Sequence, residues 1–143
     1  KEMGYDRARN ACEATLRRLG RNTIEVYLIH WPAVAKLELS SCEHRRVRSE
    51  TWRALEELYS EGRVRAIGVS NFTARHLEEL FEDGVRVAPM LNQIEVHPYF
   101  ADYETIEFCK SHSIAVQAYS PLGGGPQSNA AQASDGETNG TRL

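Results

Sequence analysis

The chain has 143 residues, of which 41% are apolar and 26% are charged, and these values are typical of one soluble globular domain. Its net charge of −3 provides no general attraction to nucleic acid or to anionic membranes. The sequence has no run of about 18 apolar residues that could span a membrane, and its first residues lack the apolar stretch of a signal peptide. We therefore expect a cytoplasmic protein that binds neither nucleic acid nor membrane.

The cysteines predict free thiols. Cys12, Cys42 and Cys109 are odd in number and widely spaced, and no two of them form a CxxC pair. This pattern is typical of a reducing compartment, and it argues against both a disulfide framework and a zinc site. We expect no bound metal.

The first predicted elements are a helix and a short strand. Asp6 is predicted to cap a helix whose apolar residues follow helical spacing as far as Gly20, which ends it. The run 26–29 is apolar throughout and too short for a helix, which is typical of a strand buried on both faces. Pro32 ends this strand.

An irregular polar stretch follows the first strand. It contains a basic cluster that we interpret as a solvated loop, formed by Arg45, Arg46 and Arg48. Ser49 is predicted to cap the second helix, which carries Trp52 on its apolar face and has Gly62 after its end.

The same cycle then repeats. Residues 65–70, 90–96 and 114–120 are predicted strands, because each is a short run rich in apolar residues. Thr73 and Asp102 are predicted to cap the helices that lie between these strands.

The predicted order of elements is α-β-α-β-α-β-α-β, with no tight hairpin between strands. Such alternation predicts parallel strands joined by right-handed helical crossovers. Both a doubly wound sheet and a (β/α)8 barrel have this signature, and hydrophobic periodicity does not separate them. A barrel needs eight strands over about 250 residues, so the four predicted strands would make half of one.

The chain divides into two predicted regions. Residues 1–122 are expected to form the partial barrel, whereas residues 123–143 carry almost no large apolar side chain and are expected to be disordered. An open four-stranded segment leaves two edge strands without partners. Tyr27, Ile29 and Val69 are expected to face a barrel interior with no opposite wall. Marginal stability or self-association through the open sheet edges is therefore expected.

Polar side chains stand at or near the carboxyl end of every predicted strand. They are His30 with Trp31, Ser70 with Asn71, Asn92 with Gln93 and His97, and Tyr119 with Ser120. In either parallel architecture these ends converge and gather functional groups. Taken singly, each has an ordinary structural interpretation, such as a helix cap or a partner for backbone groups at a barrel rim. Four such ends on consecutive strands favour a site for a flat ring that bears an amide.

Five segments resemble signature segments of the aldo-keto reductase family, in the same order. They are VYLIHWP at 26–32, GRVRAI at 62–67, GVSNF at 68–72, NQIEVHP at 92–98 and AYSPL at 118–122. Together the similarity runs over residues 4–123. The resemblance implies an oxidoreductase that transfers a hydride between NADP(H) and a small aldehyde or ketone. It also implies a (β/α)8 barrel of which this chain holds the central portion.

By the same resemblance, His30 is the catalytic histidine that orients and polarises the substrate carbonyl, and Trp31 lines the substrate pocket. The residues that the resemblance assigns to the cofactor are Ser70, Asn71, Gln93, Tyr119, Ser120 and Leu122. The first three would bind the nicotinamide carboxamide, Tyr119 would stack on the ring, and the last two would begin the diphosphate cradle. A ring stacked and held through its amide presents one face to the carbonyl, as hydride transfer requires.

The family's reaction also requires a tyrosine as proton donor, with a lysine and an aspartate that lower its pKa. An unperturbed phenol, with a pKa of about 10, is a weak acid at neutral pH. The resemblance places these three residues before the helix that begins near Asp6, and a basic cofactor-binding motif after Leu122. The sequence also starts at Lys1. We therefore expect a fragment of a longer reductase that is inactive alone; the alternative is a non-catalytic half-barrel binding or interaction module.

Overall fold

The computed structural model describes residues 3–38 and 40–123, and it contains the predicted alternation of helices and strands. In chain order the elements are α1 (Tyr5–Leu19), β1 (Tyr27–Ile29), α2 (Glu43–Ser60), β2 (Ile67–Ser70), α3 (Ala74–Glu82), β3 (Leu91–Glu95), α4 (Tyr103–Ser111) and β4 (Ala115–Tyr119). Every predicted strand is therefore confirmed, with small differences at its ends. The tail predicted to be disordered, residues 123–143, lies outside the described residues except for Gly123.

The strands form one parallel sheet in the order β1-β2-β3-β4, so each strand lies beside the next one in the chain. One continuous core joins residues of all four helices to Ile29, Ile67 and Val69 of the sheet. The helices therefore pack on a single face. A doubly wound sheet carries helices on both faces, whereas a barrel carries them only on its outside. The fold is a partial (β/α)8 barrel.

The alternation of side chains along each strand decides which residues face the barrel interior. Val69 pairs in register with Ile29 and with Asn92, and all three are buried beneath the helices. The expectation that Tyr27, Ile29 and Val69 face the interior is therefore wrong. Because β1 and β2 are apolar at consecutive positions, their sequences do not indicate which way each side chain points. The interior is lined instead by Leu28, Gly68, Ser70, Leu91, Gln93, Gln117 and Tyr119.

The second helix begins at Glu43, well before the predicted cap at Ser49. Ser49 lies inside α2, where its hydroxyl donates to the carbonyl oxygen of Arg45 at 3.1 Å. The basic cluster interpreted as a loop is therefore part of this helix. Arg46 pairs with Glu43 and with Glu50, at spacings that stabilise a helix.

The first turns of α2 could not be predicted from the spacing of apolar residues, because polar side chains occupy their inward face. His44 and Arg48 occupy its inward face and are 6% and 5% exposed. His44 Nδ1 accepts a hydrogen bond from the backbone N–H of Val34 at 3.0 Å. Arg48 donates to the carbonyl oxygen of Pro32 at 3.2 Å and pairs with Glu79 of α3. These contacts anchor the segment that follows β1.

Of the four residues predicted to cap the start of a helix, Thr73 and Asp102 do so, whereas Ser49 and Asp6 do not. Thr73 forms a capping box with His76, and the Asp102 side chain accepts a backbone N–H of α4. Gly20 ends α1 in the left-handed conformation, at φ 64°. Asp6, predicted as the cap of α1, lies within its first turn instead, and no side chain caps that helix.

None of the three cysteines is in a disulfide. Cys12 and Cys109 lie in the core, where burial raises the pKa of both thiols, and Cys42 is exposed. None of the helices within residues 3–38 and 40–123 is long and apolar enough to cross a membrane.

Candidate active site

Asn71 stands at the centre of a hydrogen-bonded cluster that joins the carboxyl ends of the four strands. Its side-chain amide donates to the carbonyl oxygen of His30 at 2.9 Å and to Ser70 Oγ at 3.1 Å. Its Oδ1 accepts from the Tyr119 hydroxyl at 2.8 Å. Ser70 Oγ donates in turn to the carbonyl oxygen of Gln93 at 2.7 Å. The structure thus brings together five of the residues that the sequence singled out.

The backbone of Asn71 adopts the left-handed conformation, with φ 61°. Asparagine is one of the few L-residues that enter this region readily. Its backbone N–H donates to the carbonyl oxygen of Gln93 at 3.0 Å, which extends the pairing of β2 and β3 beyond the end of β2. From this position the side chain reaches both His30 and Tyr119.

Gln117 belongs to the same inward face, and the sequence analysis missed it. Its Oε1 accepts a hydrogen bond from Gln93 Nε2 at 2.8 Å, and the two residues pair in register across β3 and β4. The alternation of side chains along a strand could have predicted this position. Gln117 precedes Tyr119 by two residues, so both side chains must point to one face.

Tyr119 is half-buried and carries a neutral phenol. Burial raises its pKa, and the nearby Glu95 carboxylate raises it further. Glu95 pairs in register with Tyr119, and its carboxylate lies 3.3 Å from His97 Nε2. The protonated hydroxyl of Tyr119 is therefore available as the donor to Asn71.

His30 and Trp31 lie at the side of this cluster. His30 joins it through its backbone carbonyl, whereas its exposed side chain lines an open groove of about 710 Å³ beside β1. The Trp31 ring is 5.9 Å from the His30 ring, centroid to centroid, and lines the same groove. The groove runs between β1 and helices α1 and α2, and it is not lined by Ser70, Asn71, Gln93 or Tyr119, which form the mouth of the partial barrel.

Ser120 and Leu122 lie beyond the end of β4, outside the cluster. Ser120 is left-handed at φ 48°, and its carbonyl oxygen accepts the N–H of Gly123 at 2.8 Å in a tight turn. Leu122 is 94% exposed. The structure therefore does not bring these two side chains to the other predicted site residues.

The cluster offers the groups that a planar ring with a carboxamide needs. A carboxamide has both donors and an acceptor, and the Ser70 hydroxyl with the amides of Asn71 and Gln93 can satisfy both. The Tyr119 ring provides an aromatic surface beside them. Among the residues that the structure describes, no group of three or more His, Cys, Asp or Glu side chains is arranged to hold a metal ion.

Comparison with known sequences identifies relatives of this chain. The model of the aldo/keto reductase family matches residues 1–141. A 9,11-endoperoxide prostaglandin H2 reductase of Trypanosoma cruzi is 45% identical over 126 residues, which are 88% of this chain and 40% of that protein. A glyoxal reductase of Bacillus subtilis is 43% identical over 122 residues, which are 85% of this chain and 40% of that protein. The chain thus spans well under half the length of these curated relatives.

Solved structures show the same relationship. An aldo/keto reductase from Brucella melitensis superimposes with a TM-score of 0.75 at 40% identity, over 93% of this chain and 50% of that one. An aldo-keto reductase of Bombyx mori in complex with NADP superimposes with a TM-score of 0.73 at 34% identity, over 83% of this chain and 38% of that one. Family model, relatives and fold agree, and the chain belongs to the aldo/keto reductase family.

Proposed function

We propose that this chain carries the nicotinamide-facing part of an aldo-keto reductase active site, in which a hydride passes between NADP(H) and an aldehyde or ketone. The cluster centred on Asn71 carries the proposal, because it gathers amide, hydroxyl and aromatic side chains from the ends of β2, β3 and β4 and bonds to the backbone after β1. The similar structure from Bombyx mori contains NADP, and another similar structure contains NADPH. Both complexes support NADP(H) as the cofactor.

Each residue of the cluster has a role in this proposal. Ser70, Asn71 and Gln93 exchange part of their present hydrogen bonds for bonds to the nicotinamide carboxamide, and Tyr119 stacks on the ring. When bound, NADP(H) supplies or accepts the hydride.

The substrate side of the site lies beside β1. His30 orients the substrate carbonyl, and Trp31 forms a wall of the substrate pocket. At the other side, Ser120 and Leu122 follow β4 toward the diphosphate. Holding the ring through its amide while His30 holds the carbonyl brings the reacting atoms together, which is the main contribution of such a site.

Nicotinamide mononucleotide tests the site, with saturation-transfer difference NMR as the measurement. We expect saturable transfer to the ring protons with a Kd on the order of 1 mM, because the probe contacts only the nicotinamide part of the site. Tyr119→Ala should weaken this binding about tenfold, which is the effect of losing a stacking contact of about 1.4 kcal/mol. Tyr99→Ala is the matched control, since Tyr99 is 92% exposed and outside the cluster. Absent transfer, or equal transfer in wild type and Tyr119→Ala, would contradict the proposal.

We propose further that the 143-residue chain is inactive alone. The pKa values of Tyr5 and Tyr119 are both raised, that of Tyr5 by its hydrogen bond to Glu57 and that of Tyr119 by burial. A raised pKa makes a phenol a weaker proton donor. We expect no NADPH-dependent reduction of 4-nitrobenzaldehyde, measured by NADPH absorbance. Turnover that His30→Ala abolishes would contradict the inactivity and would support the reductase assignment.

A second candidate function is that of an interaction module that associates with copies of itself. Among the described residues, β1 and β4 each have a strand on one side only, and β4 is exposed along most of its length. An uncovered edge is a template for pairing with another chain. We expect sizing chromatography to show an oligomer that Val116→Lys, on this edge, diminishes and Glu104→Lys, on exposed α4 surface, does not. A compact monomer at all concentrations would exclude the module.

A further inference from the structure

Asn92 is fully buried on the helix-facing side of β3, although its neighbour Gln93 faces the interior. Its Nδ2 donates to the carbonyl oxygen of Phe72 at 2.8 Å and lies 3.7 Å from Cys109 Sγ. Phe72 follows Asn71 directly, in the short turn between β2 and the cap of α3. Asn92 therefore acts on the backbone of the turn that carries Asn71.

This turn is held from two sides by adjacent residues of β3. On one side, the carbonyl oxygen of Gln93 accepts both the Asn71 N–H and the Ser70 hydroxyl. On the other side, the Asn92 amide fixes the carbonyl of Phe72. Asparagine enters the left-handed region at less cost than most L-residues, and the contacts around it decide whether it stays there. Asn92 and Gln93 together provide those surroundings for Asn71.

The oxygen of the same side chain makes no hydrogen bond within the part of the chain that the structure describes, so the amide N–H is the group through which Asn92 acts. Asn92 Oδ1 is buried and has no hydrogen-bond partner, and among the described residues no other buried side-chain polar atom lacks one. A buried carbonyl oxygen without a partner destabilises a protein. Leucine has a similar size and would remove this oxygen, but it would leave the Phe72 carbonyl without its side-chain donor. The favourable contact that asparagine makes here and leucine cannot make is the hydrogen bond from its side-chain N–H to the Phe72 carbonyl oxygen.

We propose that Asn92 is a positioning residue of the candidate active site. By holding the Phe72 carbonyl, its amide keeps Asn71 left-handed, and this conformation lets the Asn71 side chain bridge His30 and Tyr119. Asn92 lies on the opposite face of the sheet from the mouth and acts only through the turn.

The test measures the conformation of Asn71 in the chain labelled with 13C,15N-asparagine, where its Cα and Cβ chemical shifts report φ and ψ. Asn92→Leu, which removes the donor at similar size, should move these shifts away from left-handed values. Ile94→Ala removes packing on the same face of β3, so it should lower the unfolding midpoint and leave the shifts unchanged. If Asn92→Leu does not fold, Asn92→Ala removes the same N–H with a smaller side chain. Unchanged Asn71 shifts in a folded variant would overturn the proposal, as would equal changes in Ile94→Ala.

The importance of this geometry for ligand binding rests on the proposed function, and a second readout separates the two. With nicotinamide mononucleotide as the probe, Asn92→Leu should reduce saturation transfer to the extent that Asn71→Ala does, while Ile94→Ala retains it. No transfer in wild type would contradict the proposed function, and the Asn71 shifts would still decide the positioning role. Full transfer in an Asn92→Leu chain whose Asn71 shifts have moved would overturn the role of Asn92 in binding.

Discussion

Replacing Arg48 with methionine is expected to lower the free energy of unfolding by about 3–5 kcal/mol, the usual effect of removing one partner from a buried ion pair. The Arg48 side chain is 6% exposed and that of its partner Glu79 is 18% exposed. Methionine fills similar volume but leaves Glu79 with Arg75, which is 84% exposed, as its remaining partner. It also leaves the carbonyl oxygen of Pro32 without the guanidinium donor.

A double-mutant cycle separates the pair from the packing of the side chain. Burial lowers the pKa of Arg48 and the Glu79 carboxylate opposes that effect, so Glu79 stabilises the buried guanidinium charge. The double variant Arg48→Met/Glu79→Met should therefore recover much of the loss, because no unpaired charge stays buried. Urea unfolding at one fixed protein concentration measures all four species.

Arg46→Met provides the matched control for this cycle. Arg46 lies on the same helix but is solvent-exposed, and its ion pairs with Glu43 and Glu50 are at the surface. Exposed pairs contribute little to stability, so this variant should lose much less than Arg48→Met. If both variants lost the same free energy of unfolding, the burial of the Arg48–Glu79 pair would not increase its contribution to stability. Pro32 follows Trp31 directly, so the hydrogen bond from Arg48 to Pro32 also helps to position the residues after β1.

The strands could be predicted because their chemistry is local. Short apolar runs bounded by glycine, proline or polar residues predict buried parallel strands, and all four occur as expected. The start of α2 could not be predicted in this way. Its inward face uses His44 and Arg48, whose burial depends on partners such as Val34 and Glu79 that only the folded chain brings near.

The composition of the mouth was predictable, but its connections were not. Parallel strands place their carboxyl ends together, so polar side chains at those ends were expected to meet. The bonds that join them depend on the left-handed backbone of Asn71, and no pattern in the sequence gives that angle. The direction of Asn92 was equally hidden, because the adjacent pair of amides in β3 gives no sign of which one faces the helices. The side-chain amide of Asn92 donates a hydrogen bond to the Phe72 carbonyl oxygen. It therefore acts as a partner for a backbone group, which is the ordinary structural interpretation given to such residues in the sequence analysis.

Replacing Gly68 with alanine is expected to lower the free energy of unfolding by about 2–3 kcal/mol, because it overpacks the interior face of the sheet. A Cβ at this position would overlap the carbonyl oxygen of Leu91 and would lie 2.9 Å from Leu28 Cδ2. The leucine side chain of β1 can move aside. The Leu91 oxygen belongs to the backbone of β3, so relief there requires β2 and β3 to separate.

Gly62→Ala is the control that isolates this overlap from backbone strain. Gly62 is left-handed at φ 70° with open space around it, so alanine should cost only about 1–2 kcal/mol through its conformation. Gly68→Ala should also disturb the mouth, because separation of the strands draws the Gln93 carbonyl away from Ser70 and from the Asn71 N–H. We therefore expect weaker saturation transfer to nicotinamide mononucleotide in Gly68→Ala and unchanged transfer in Gly62→Ala. Similar stability losses and equal transfer in the two variants would mean that close contact of β2 with β3 does not support the site.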